Sequence, residues 1–136
     1  MCFFRRARGS THRRLSTRER GRLGEDAAVR WLQGRGYRIL ERNVHVPGGE
    51  LDVVALQEGT VCFIEVKARR TRSFGGGVDA LGPEKCRRIA RAAAWWCRRR
   101  SWTGPCRFDL LALDRDGGRW RMTLLENAFE APDRGW

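Results

Sequence analysis

Two apolar runs, residues 51–56 and 61–66, flank a polar stretch centred on Glu58-Gly59, and they carry charge where a buried strand should not: Asp52, Glu65 and, directly after, Lys67. Runs apolar on both faces read as strands in the middle of a sheet. The glycine between them reads as a hairpin turn. If the turn is the two-residue Glu58-Gly59, cross-strand pairing sets Asp52 opposite Glu65 and Glu50 opposite Lys67. Directly opposed side chains share a face of the sheet, with Cβ atoms about 4.5–5.5 Å apart. Glu65 and Lys67, two apart on one strand, also share it. A turn longer by one residue needs a bulge to restore this parity. Carboxylates so placed repel unless a cation lies between them, and a hard divalent ion suits the position. A neighbouring ammonium then orients an attacking water or stabilises charge growing on a phosphate. The alternative is an exposed edge on which the three charges simply stay hydrated. The apolar flanks weigh against it, because charge within central strands usually marks a site.

The rest of the chain supplies a frame for this hairpin. Residues 17–33 have a helical pattern, capped by Ser16 or Thr17, with Leu23, Ala27, Trp31 and Leu32 on the apolar face and Gly34 and Gly36 at the end. Tyr37-Arg38-Ile39-Leu40 predicts a short strand, followed by a loop holding Pro47, Gly48 and Gly49. The tract Ser73-Phe74-Gly75-Gly76-Gly77 predicts a flexible loop, and without a following Gly-Lys-Ser/Thr it is no phosphate-binding P-loop. Pro83 opens a second helix whose seam is Cys86, Ile89, Ala90, Ala93, Trp96 and Cys97, with arginines around it. Strands at 107–113 and 119–125 follow, joined at Asp116-Gly117-Gly118. The order α-β-β-β-α-β-β predicts an α/β protein with a mixed central sheet flanked by helices. A chain of 136 residues holds one core. We read 1–15 as a flexible basic arm, 16–128 as a single domain and 129–136 as a short tail.

Charge narrows the partners. The formal net charge is +12, concentrated in residues 1–22, with eight arginines and one acid, and in residues 86–107, with seven arginines and none. Two basic blocks suit a polyanion through phosphate neutralisation, although an arginine-biased genome would produce a similar total. Of 28 basic residues only Lys67 and Lys85 are lysine. In a chain that meets ordinary charge needs with Arg, a retained Lys suggests a need for a compact ammonium of tunable pKa. Lys85, Arg87, Arg88 and Arg91, at the start of the second helix, are the candidate nucleic-acid contacts; phosphates dock at helix N-termini. Trp95, Trp96 and Trp102 could stack on bases, with core packing the better reading for Trp96 on the seam. Asp109 reads as a structural anchor.

Five cysteines without a C-x-x-C pair, and two histidines far apart, argue against a zinc site and a disulfide framework and fit reduced thiols in a cytoplasmic protein. No apolar stretch approaches the roughly 18–20 residues that span a bilayer, so no membrane partner is expected.

The ordered series Gly24-Glu25-Asp26-Ala27-Ala28, Gly36-Tyr37-Arg38-Ile39-Leu40, Arg42-Asn43, Gly49-Glu50-Leu51-Asp52 and Phe63-Ile64-Glu65-Val66-Lys67 resembles the YraN family of bacterial proteins. That family lies within the PD-(D/E)XK nuclease-like superfamily and is similar to archaeal Holliday-junction resolvases. The resemblance covers about residues 20–125. It implies a restriction-endonuclease-like αβββαβ core, with Asp52 and Glu65 as metal ligands, Lys67 as the catalytic lysine and Glu25 as an additional helical acid. The superfamily's leading Pro-Asp stands here as Leu51-Asp52, which keeps the carboxylate. The carbonyl of Val66 would complete the donors for Mg²⁺ or Mn²⁺. The expectation is an endonuclease-like hydrolase of phosphodiester bonds acting on DNA rather than RNA, with branched or junction DNA as a candidate substrate. Two cuts on one junction would require a symmetric homodimer. The alternative is a non-catalytic nucleic-acid-binding module; a weaker one is a docking protein for an acidic partner.

Overall fold

Ser16 and Glu19 form a reciprocal capping box at the start of the first helix. The Glu19 N–H donates to Ser16 Oγ (3.2 Å) and the Ser16 N–H donates to Glu19 Oε2 (2.8 Å), satisfying donors that a helix start leaves free. The computed structural model describes residues 16–69 and 81–131. The basic arm at 1–15, the glycine tract at 73–77 and the end of the tail lie outside the described residues. The elements are α1 (Thr17–Gly34), β1 (Arg38–Val46), β2 (Gly49–Gln57), β3 (Thr60–Arg69), α2 (Pro83–Arg100), β4 (Cys106–Asp116) and β5 (Arg119–Phe129). One five-stranded sheet runs in the order β1-β2-β3-β4-β5. Among the described strands only β3 and β4 are parallel, and α2 lies between them in the chain as the crossover that parallel neighbours require. This is the mixed α/β architecture of a restriction-endonuclease-like core.

Strand alternation divides the core between the two sheet faces. Val53, Ala55, Cys62, Ile64, Leu111 and Leu113 pack with Ala28, Val29 and Leu32 of α1. Val54, Val61, Phe63 and Phe108 pack with Ile89, Ala93 and Trp96 of α2. Phe63 meets Trp96 edge-on at 5.7 Å between centroids, and Phe108 stacks on Phe129 at 4.7 Å. The α2 seam is as expected, except that Cys86 is only partly buried.

The face of α1 differs from expectation. Leu23 is 46% exposed, and the buried line runs through Gly24, Ala28 and Leu32. At Gly24 a Cβ would lie 3.4 Å from Leu113 Cδ1 and 3.7 Å from the Trp120 ring. The missing side chain lets α1 settle onto β4 and β5, and residues four apart then continue the contact. An apolar periodicity cannot register a glycine as a contact residue, so the face was misplaced.

The β2–β3 turn is the two-residue Glu58-Gly59, both at positive φ (49° and 78°) as in a type I′ turn. Pairing runs from Gln57/Thr60 to Val53/Ile64 in the expected register. The strand expected at 37–40 continues instead through Val46, so only Pro47-Gly48 connects it to β2. A register shift between Ile39 and Glu41 and a positive φ at Asn43 (49°) break the alternation that would have revealed its length.

Asp109 is the expected anchor. Its carboxylate, 1% exposed as a residue, accepts from Arg107 (Nε to Oδ1, 2.9 Å) and from the Asn127 N–H (3.0 Å). Arg107 also donates to Tyr37 Oη and Gln57 Oε1. The cluster ties the residue just before β1 to β2, β4 and β5 near the β2–β3 turn. No helix among the described residues is long and apolar enough to cross a membrane.

Candidate active site

At the end of the hairpin away from its turn, the β2–β3 ladder stops at Val53/Ile64. In an unbroken antiparallel ladder the Val66 N–H would donate to the Leu51 carbonyl, two steps further on. Instead it donates to Asp52 Oδ2 at 2.9 Å. Leu51, 2% exposed, is drawn into the α2-side core with Val54. Burial of Leu51 and the side-chain-to-backbone bond at Asp52 together hold the Asp52 carboxylate against Glu65 on the neighbouring strand. Glu50, expected opposite Lys67, lies beyond the end of that ladder, and its register partner is His45 on the β1 side.

Asp52 and Glu65 line a cavity of about 440 Å³ with His45, Glu50, Lys85 and Arg88. The β1–β2 turn approaches α2 closely here: a Cβ on Gly49 would lie 3.3 Å from the Arg88 carbonyl. Lys85 Nζ forms an ion pair with Glu65 Oε1 at 2.8 Å. Burial, followed by the Glu65 carboxylate, pushes the Asp52 carboxyl up to about 7, against the opposing hydrogen bond from Val66. Lys85 is pushed upward by its hydrogen bond to Glu65. The Asp52 carboxyl therefore keeps its proton up to near neutrality, and a divalent cation would compete with that proton.

The structure brings some of the residues singled out in the sequence together and leaves others apart. Asp52, Glu65, Lys85 and Arg88 meet at the cavity. Lys67 is half-buried, two residues beyond Glu65 and opposite Ala112 in the β3–β4 register; alternation puts it on the Glu65 face, but it does not line the cavity. Glu25 lies on α1 and accepts from Asn43 Nδ2 at 3.3 Å. Asn43 occupies the β1 position between the Arg42–Val53 and Val44–Leu51 pairs, hence opposite Asp52. Arg87 and Arg91 are exposed on α2 and do not line the cavity. Val66 contributes its N–H to Asp52. His45 joins the site although the sequence offered only an isolated histidine; recognising it required knowing that β1 reaches Val46.

Two acidic side chains held close and partly desolvated match the donor chemistry of a hard divalent ion. Among the described residues no group of three His, Cys, Asp or Glu side chains forms a metal cage. A cation here would therefore draw on Asp52, Glu65 and backbone oxygen.

The sequence model of the uncharacterised protein family UPF0102 matches residues 24–113, from α1 through β4, which takes in every element that forms the site. The chain belongs to UPF0102. This is the family that the motif series resembles under the name YraN. A UPF0102 protein of Symbiobacterium thermophilum is 42% identical over 117 residues, covering 85% of this chain and 99% of its own length. Another, from Pelobacter propionicus, is 44% identical over 125 residues, covering 89% of each chain. A UPF0102 protein of Syntrophotalea carbinolica is 41% identical over 128 residues, covering 93% of this chain and 99% of its own.

Proposed function

We propose that this UPF0102 protein is a Mg²⁺- or Mn²⁺-dependent endonuclease-like hydrolase that cleaves a phosphodiester bond in DNA. The observation carrying this reading is the Asp52–Glu65 pair, held together where the β2–β3 ladder ends and bordered by Lys85, Arg88 and His45. Acids that bind a cation beside bases that bind phosphate are what metal-assisted phosphoryl transfer requires.

Asp52 and Glu65, with the Val66 carbonyl, would hold the ion, which supplies Lewis-acid polarisation of the phosphate and a more acidic water. The Val66 N–H fixes one oxygen of Asp52 and leaves the other to bind. Lys85 orients Glu65 through its ion pair, and Arg88 receives the non-bridging oxygens of the scissile phosphate. Lys67, on the Glu65 face of β3, aligns the attacking water or accepts its proton. Glu25, on α1, would be the additional helical acid, held by Asn43 of β1. Arg87 and Arg91, exposed on α2, follow the backbone of the same nucleic acid without reading its sequence.

A second reading is a nucleic-acid-binding module without catalysis, and it draws on the Lys85–Glu65 ion pair, which already neutralises one of the acids. The test is cleavage of labelled duplex, flap, four-way junction and single strand, each with Mg²⁺ or Mn²⁺. Metal-dependent cutting that Asp52→Asn abolishes supports the enzyme. Tight binding to one of these structures with no cutting on any of them supports the module.

A further inference from the structure

A second cavity, of about 200 Å³, opens where α2 faces β1, and His45 lines both it and the carboxylate cavity. Its other walls include Trp95, Trp96, Arg99 and Arg100 of α2 and Val44 of β1. On α2, Lys85, Arg88, Trp95 and Arg99 recur at spacings of three, seven and four residues, which places them along one helical stripe. From Lys85 to Arg99 that stripe rises about 21 Å, room for roughly three or four nucleotides of an extended strand. The acids stand at one end of it and an aromatic cavity at the other.

The chemistry of the second cavity is that of a base-stacking site. The Arg99 guanidinium lies 4.8 Å from the Trp95 ring centroid, a planar cation–aromatic pair in place to receive another flat ring. Trp95 is half-buried, so part of its ring remains accessible. Trp96, 4% exposed, lines the same cavity, and its indole Nε1–H is buried without a hydrogen-bond partner. That nitrogen is closed to solvent, so the accessible ring is that of Trp95. Glu41, the acid in the cavity, is ion-paired with Arg100, so the lining retains Arg99 to favour a polyanion.

Resting on the nucleic-acid reading of the neighbouring cavity, we propose that the Trp95–Arg99 cavity is a nucleobase subsite for an unpaired nucleotide a few positions from the scissile phosphate. A base within a duplex is stacked on both faces and cannot enter such a cavity. The substrate class is therefore DNA with a single-stranded segment beside the cut, rather than continuous duplex.

The test measures binding without cleavage, in EDTA, to a blunt duplex and to the same duplex carrying a four-nucleotide single-stranded extension, either natural or abasic throughout. Wild type should bind the natural extension about tenfold more tightly than the blunt duplex, the size of one base–aromatic stack. Abasic nucleotides should remove that gain. Trp95→Ala should remove the same gain without adding to the abasic loss, Trp95→Phe should keep most of it, and blunt-duplex affinity should stay within twofold for both variants. The abasic arm does not depend on the folding of any variant. Equal affinity of wild type for natural and abasic extensions overturns the subsite, as does a Trp95→Ala protein that retains the full preference. Cleavage assays on the same DNAs with Mg²⁺ separate the two proposals. Cutting by wild type without any base dependence leaves the nuclease and removes the subsite. Base-dependent, Trp95-dependent binding without cutting leaves the subsite and removes the nuclease.

Discussion

The Val66 N–H donates to Asp52 Oδ2 at 2.9 Å, in the place where a continuing ladder would have used the Leu51 carbonyl. A side chain has substituted for a main-chain acceptor, and the strand ends part at that level. The substitution leaves the Asp52 carboxylate partly buried against Glu65 with one oxygen committed. The same contact organises the candidate ion site and accounts for the end of strand pairing.

Divalent metal should stabilise the protein through this pair. With Mg²⁺ or Mn²⁺ at ten times the dissociation constant, the folded state gains about 1.4 kcal/mol. Asp52→Asn should abolish that gain and leave the metal-free protein no less stable, because it removes like-charge repulsion. Thermal melts of both proteins with and without metal check this; a wild-type curve indifferent to both ions would remove the site.

The same pair sets a pH dependence. Burial and Glu65 raise Asp52 from its ordinary value of 3.8 to about 7 in the folded protein. Between those values the folded state holds a proton that the unfolded chain has lost. The contribution to stability is therefore complete below about pH 4 and is lost as pH rises through about 7. Metal competes with that proton, so Mg²⁺ affinity should increase over the same window. Denaturant titrations at several pH values, run in parallel on Asp52→Asn, should show the slope in wild type and its absence in the variant.

Lys67→Arg discriminates enzyme from binding module. Arginine keeps the charge but spreads it over a planar fork that does not readily give up a proton. Metal-dependent cleavage should be abolished while affinity for the same DNA changes less than about threefold, under ~1 kcal/mol. Undiminished cleavage by the variant would take Lys67 out of the mechanism.

Arg107 tests the structural anchor apart from the site. The Asp109 side chain is fully buried, and Arg107 is its cationic partner. Arg107→Ala leaves an uncompensated buried charge, an effect of about 3–5 kcal/mol. Adding Asp109→Asn should recover most of the loss, and the double variant should retain the Mg²⁺-dependent rise in stability. A single variant as stable as wild type would show that the pair is not what holds this end of the sheet.

Local pattern determined the element order, the Glu58-Gly59 turn and, through that turn, the register that carries Asp52 and Glu65 toward each other. Those features depend on residues close in sequence: apolar runs, a glycine at positive φ, and a side-chain period of two. The α2 seam was legible for the same reason. The face of α1 was not, because Gly24 makes contact by lacking a side chain. The length of β1 was hidden by the irregularities at Leu40 and Asn43, which interrupt the alternation that announces a strand. Tertiary structure alone decided that Lys85 reaches Glu65, that His45 separates two cavities, and that the β2–β3 ladder ends one pair before the carboxylates. Each of these follows from α2 packing across the sheet and drawing Leu51 beneath it. That contact joins residues more than thirty positions apart, beyond the reach of any local periodicity.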